Sequence, residues 1–189
     1  MSGSNLVLIG GGARSGKSAY AVRRALASGT ERVFVATAEP FDDEMRVRIA
    51  DHVAERGRDF STVEAPRELE TALESLTLRS PRVAVVVVDC LTLWLSNLLL
   101  GETPVTEIER RVEHLALTAA AAPFPVLLVT NEVGLGLVPE TPLGRVFRDV
   151  TGRAHQRLAS AAGEVYLAAL GCMLRIKPTP VVLAEEVRP

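Results

Sequence analysis

Short apolar runs alternate with longer amphipathic stretches along the whole chain, and this alternation predicts an α/β fold. Leu6-Val7-Leu8-Ile9 reads as a strand, and residues 18–28 read as a helix. Residues 32–37 form a second β-rich run, closed by Glu39-Pro40. Acids at Asp42, Asp43 and Glu44 open a helix predicted to about residue 55, where they suit the positive end of the dipole. Residues 60–64 read as a short strand, and Pro66 reads as the first turn of a helix through about residue 76. The run 83–88 is apolar at successive positions, which marks a central strand covered on both faces. Helices are predicted over 91–100, 106–120 and 142–162, with another doubly buried strand over 126–129. Residues 165–168 and 173–176, joined through Gly171, read as a hairpin at a sheet edge, and the tail from Pro178 reads as frayed or loosely docked. The pattern predicts one domain over 1–189: a mostly parallel sheet flanked by helices, with ligands at the carboxyl ends of the strands.

Composition narrows the class. With 189 residues, 48% hydrophobic and 23% charged, the chain has the material for a complete core. A net charge of -2 leaves no basic excess for nucleic acid or an anionic membrane surface. No apolar run approaches the ~20 residues of a membrane span, and the first residues lack the pattern of a signal peptide. Cys90 and Cys172 are far apart in apolar surroundings, so both read as buried free thiols of a reducing cytoplasm.

The chemistry concentrates after the first strand. Gly11-Gly12-Ala13-Arg14-Ser15-Gly16-Lys17-Ser18 is a full G-x-x-x-x-G-K-S loop between a strand and a helix, the setting a phosphate-binding loop requires. Its glycines let successive N–H groups converge on phosphate, Lys17 reaches the outer phosphates, and Ser18 can ligate Mg²⁺. Asp89 ends the most apolar strand at the same sheet edge, as a Mg²⁺ ligand would; the competing reading is a cap for the helix that follows. His52 sits at the border of an apolar helical face, where its residues alone predict an ordinary half-buried side chain. His114 and His155 carry no stronger signal, and Asn131 and Glu132 read equally as substrate-side groups or loop caps.

Together these segments resemble the bifunctional adenosylcobinamide kinase / adenosylcobinamide-phosphate guanylyltransferase family of cobalamin biosynthesis. The likeness is carried by the phosphate loop and by Val35-Ala36-Thr37-Ala38. It continues through Asp42-Asp43-Glu44-Met45 to His52, then Val88-Asp89-Cys90-Leu91-Thr92 and Thr130-Asn131-Glu132-Val133-Gly134. It extends to Gly152-Arg153 and Gln156-Arg157-Leu158-Ala159. The resemblance implies a RecA-like P-loop fold and two reactions. Adenosylcobinamide is phosphorylated from ATP or GTP; then GTP gives its GMP to that phosphate through a covalent histidine, whose matching position is His52. It also implies that Gly11 to Ser18 surround the nucleotide phosphates. Ala36, Thr37, Ala38, Val53, Ala54, Glu55, Arg56, Glu64 and Asp89 would complete the envelope. A homotrimer is implied as well. Asp51 stands where relatives often carry a second histidine, and His155 where they often carry Asn. Two other readings stay open: a P-loop kinase that lacks the guanylyl step, and a nucleotide-gated assembly protein.

Overall fold

Strands buried on both faces lie at the centre of the sheet, where apolar runs predict them. In this computed structural model, which describes residues 3–39, 59–79 and 82–178, seven strands form one sheet. They are β1 (Leu6–Gly11), β2 (Arg32–Ala36), β3 (Ser61–Glu64), β4 (Val85–Asp89), β5 (Val126–Asn131), β6 (Glu164–Ala169) and β7 (Cys172–Lys177). Their order is β3-β2-β4-β5-β1-β6-β7. The first six are parallel neighbours, and β7 is antiparallel to β6. Val85, Val86, Val87 and Val88 are wholly inaccessible, as parallel strands with helices on both faces demand.

The helices are α1 (Lys17–Leu26), α2 (Leu69–Thr77), α3 (Leu91–Leu100), α4 (Val105–Ala121) and α5 (Pro142–Ala161). Leu6 and Leu8 of β1 face a core built with residues of α2, α3, α4 and α5. Val7 and Ile9 face the other side, where Ala21 and Ala25 of α1 close the packing. The chain therefore leaves β1 toward one face and leaves its neighbour β5 toward the opposite face. That divergence opens a crevice at the carboxyl ends of β1 and β5, the place where open α/β sheets bind ligands.

The fold departs from the sequence expectations in three places. Helix α2 begins at Leu69 rather than near Pro66, because the Pro66 and Arg67 carbonyls are engaged elsewhere: Pro66 accepts from Asn97 Nδ2 at 2.9 Å and Arg67 from Trp94 Nε1 at 2.8 Å. Cys172 is exposed, since it opens the edge strand directly after the turn, whereas Cys90 is buried as expected. The predicted hairpin forms, with Ala169 opposite Cys172 and both turn residues left-handed (Leu170 φ 51°, Gly171 φ 78°), the backbone of a tight two-residue turn. The helix predicted over 42–55 and the tail beyond Pro178 lie outside the described residues.

Candidate functional site: a phosphate loop at a sheet crevice

The loop between β1 and α1 is shaped by close approach. A Cβ on Gly11 would stand 2.7 Å from both the Ala168 carbonyl and Ser15 Oγ, so only glycine fits there. Gly16 caps α1 in the left-handed region at φ 89°, which a side chain would strain. Gly12, Ala13 and Arg14 form the exposed rim, with Arg14 itself at φ 54°. The Ser15 N–H and Lys17 Nζ both donate to the Gly12 carbonyl, at 3.3 and 3.0 Å, so the loop is wrapped around its own lysine. Lys17 is only 6% exposed, and Ser18 is half-buried beside it in the first turn of α1. No acid lies in that first turn, and Arg23 and Arg24 lie in the last, so the helix dipole presents its positive end to the loop undiminished.

Three further predicted residues share one row across adjacent strands: Glu64 pairs with Ala36, and Ala36 with Asp89. Asp89 pairs in turn with Val129, and Val129 with Ile9, just before the phosphate loop. At about 4.8 Å per strand, Asp89 lies ~10 Å from β1 and Glu64 ~19 Å. The cap of α3 falls on Cys90 and not on Asp89, which weakens the capping alternative. Thr37, wholly buried, uses its hydroxyl to accept the Cys90 N–H and to donate to the Cys90 carbonyl, both at 2.8 Å. Burial pushes the Cys90 thiol up to about 11, so it stays protonated, and it lies 3.1 Å from Thr92 Oγ1. His52, Val53, Ala54, Glu55 and Arg56 lie outside the described residues.

Sequence reasoning gave Asn97 no role, left Asn131 between substrate contact and loop cap, and drew nothing from His155, yet all three build this edge. Asn97, 1% exposed within a leucine-rich helix, donates to the Thr37 and Pro66 carbonyls at 2.8 and 2.9 Å. Asn131 Nδ2 donates to Thr92 Oγ1 at 3.0 Å, which directs this side chain toward the turn after β4. His155 on α5 meets Thr130 Oγ1 through Nε2 at 2.8 Å, and its Nδ1 stands 3.6 Å from Glu132 Oε2. Burial lowers the pKa of His155 and the Glu132 charge opposes that shift. His114 is a surface residue of α4, 2.9 Å from Glu74. The one legible signal for Asn97 was a polar residue on the buried side of a leucine-rich helix.

Ser18 and Asp89 offer a hydroxyl and a carboxylate, both half-buried at this edge. Among the described residues, no group of three or more His, Cys, Asp or Glu side chains forms a metal cage. That donor set suits Mg²⁺, which is held by few protein oxygens and completes its octahedron with phosphate oxygens and water.

A glycine-rich loop opening α1 beside a crevice in a parallel sheet defines a P-loop nucleotide-binding protein. The backbone matches the crystal structure of the RadB recombinase with a TM-score of 0.50, over 87% of this chain and 74% of that one at 20% identity, a likeness of fold. The cobinamide kinase / cobinamide phosphate guanyltransferase family model matches residues 7–176, and the chain belongs to that family. It is 37% identical over 184 residues to the bifunctional adenosylcobalamin biosynthesis protein CobU of Salmonella typhimurium, covering 91% of this chain and 99% of that one. It is 41% identical over 176 residues to CobP of Pseudomonas aeruginosa, a bifunctional adenosylcobalamin biosynthesis protein, covering 92% and 98%.

Proposed function

We propose that the chain phosphorylates the aminopropanol hydroxyl of adenosylcobinamide from ATP or GTP. It then transfers GMP from GTP to that phosphate, giving adenosylcobinamide-GDP and pyrophosphate. The observation that carries this reading is the family match over 7–176, joined to a phosphate loop in which close approach fixes Gly11 and a left-handed backbone fixes Gly16.

Loop N–H groups and the α1 dipole bind the phosphates in both reactions. On binding, Lys17 exchanges the Gly12 carbonyl for a phosphate oxygen and neutralises charge that builds up on the leaving group. Ser18 and Asp89 would hold Mg²⁺, which would supply positive charge to offset that of the phosphates. In the second reaction the imidazole of His52 attacks the α-phosphorus, pyrophosphate leaves, and the phosphoramidate passes GMP to the acceptor phosphate. Ala36, Ala38, Glu64 and Val53 to Arg56 belong to the same nucleotide envelope.

The described strands form one sheet, which supports a single P-loop domain over 1–189. A homotrimer is part of the proposal; the exposed Leu135, Leu137, Val138, Leu143 and Val146 supply apolar surface for such contacts. No helix among the described residues is long and apolar enough to cross a membrane, and the free thiols of Cys90 and Cys172 fit the cytoplasm.

Incubation with α-labelled GTP tests the covalent step. Acid-labile, alkali-stable label that disappears in His52→Ala is expected. Absent label leaves a kinase without the guanylyl step, and label persisting in that variant removes His52 as the nucleophile.

A further inference from the structure

We propose that Glu132 takes the proton of the acceptor hydroxyl in the kinase step and that His155 is its positioning residue, an inference that rests on the kinase reading above. Phosphorylating an alcohol requires a proton acceptor at the attacking oxygen, and kinases place a carboxylate there. Three described carboxylates end or directly follow parallel strands at the nucleotide edge: Glu64, Asp89 and Glu132. Glu64 lies four strands from β1, and Asp89 is assigned to the metal. Glu132 follows β5, the strand directly beside β1, and its N–H donates to the Gly11 carbonyl at 3.0 Å. Its backbone is therefore bonded to the first residue of the phosphate loop, in the crevice where β1 and β5 send their helices to opposite faces.

The carboxylate is also held from two sides. Oε1 accepts the Gly134 N–H at 2.5 Å, and a Cβ on Gly134 would approach that oxygen to 2.9 Å, so the turn is built around the charge. Oε2 faces His155 Nδ1 at 3.6 Å, near enough to bias the side-chain position electrostatically, while Nε2 is occupied by Thr130. The side chain keeps 29% of its accessibility, so an acceptor hydroxyl can reach it. In the step itself the hydroxyl oxygen bonds to the γ-phosphorus while its proton passes to Glu132. The bond from the γ-phosphorus to the β–γ bridging oxygen breaks, and the nucleoside diphosphate leaves with that electron pair.

The guanylyl step supplies the contrast, because its acceptor is an ionised phosphate with no proton to give up. The full-length protein, Glu132→Gln, His155→Asn and His155→Gln are assayed for adenosylcobinamide phosphorylation and, separately, for GMP transfer to adenosylcobinamide phosphate. Glu132→Gln is expected to lower kinase kcat about 100-fold or more with KM little changed, and to leave GMP transfer within about threefold. His155→Asn keeps an amide N–H where Nδ1 was and retains most kinase kcat; His155→Gln keeps only the Thr130 contact and loses about tenfold. Kinase kcat within about threefold of wild type in Glu132→Gln overturns the proposal, as does equal loss of both reactions. A His155→Gln variant as active as His155→Asn overturns the positioning role. Wild-type protein inert in both assays instead overturns the enzymatic reading.

Discussion

The hydroxyl of Thr37 clamps both polar backbone groups of Cys90, taking its N–H and meeting its carbonyl at 2.8 Å each. One side chain thus fixes the residue next to Asp89, across 53 positions of sequence. Thr37→Val keeps the shape but leaves two buried backbone groups without these bonds, at a cost of about 2–4 kcal/mol. A lower urea midpoint is expected, restored in Thr37→Ser; if Asp89 holds Mg²⁺ as proposed, the Mg²⁺ concentration for half-maximal kinase rate rises in Thr37→Val and returns in Thr37→Ser. An unchanged midpoint in the valine variant would show that the clamp carries no energy.

Gly11 has no room for a methyl group. Gly11→Ala forces the Ala168 carbonyl or Ser15 to move from 2.7 Å contacts, which displaces the loop from its phosphate geometry. Nucleotide affinity measured by calorimetry is expected to fall at least about tenfold, whereas Gly12→Ala, with open space around its Cβ, changes it little on steric grounds. Equal affinities for the two variants would remove the steric argument.

His155 makes stability depend on pH in a definite direction. Its folded pKa is held below the ordinary 6.5 by burial, with Glu132 the charged group opposing that shift. The unfolded chain therefore takes up a proton first as pH falls. The stabilisation is fully present above pH 6.5 and is lost as pH drops through the lowered value. Chemical denaturation should show the wild type losing more stability than His155→Gln between about pH 7.5 and 5. Parallel losses would place the ring in solvent.

Arg24, Glu164 and Tyr166 tie α1 to β6. Arg24 reaches Glu164 at 2.5 Å, and Tyr166 donates to the same carboxylate at 2.5 Å. The Arg24 hydrogen bond holds Glu164 below its ordinary 4.5, so this contribution is present above that value and lost as pH falls through the lowered one. Glu164→Gln is expected to flatten the acid limb of the stability profile below about pH 4.5. Both partners are about one-third exposed, so the effect should shrink with added salt. An unchanged acid limb contradicts the tie.

Much of the fold was legible because its strands are locally extreme. The runs at β1, β4 and β5 are apolar at nearly every position, which only a covered parallel sheet explains. The phosphate loop was legible because its spacing encodes a backbone shape. Contacts between distant residues were not legible. Asn97 reaches a carbonyl 60 residues away, and no period along the chain announces it. The Pro66 prediction failed because local preference for a helix start yielded to the carbonyl bonds of Pro66 and Arg67. Cys172 looked buried because its neighbours are apolar, but an edge strand beside a tight turn exposes them. His155 gained meaning only once α5 had been laid against the end of β5.

The central claim is that one loop grips the triphosphate through Lys17, whose ammonium rests on the Gly12 carbonyl. Calorimetric titration of GTP into wild type and Lys17→Ala tests it most directly. A charged hydrogen bond contributes about 1.5–3 kcal/mol, so a weakening of roughly 10- to 150-fold is predicted. GTP bound equally well by both proteins would contradict the account.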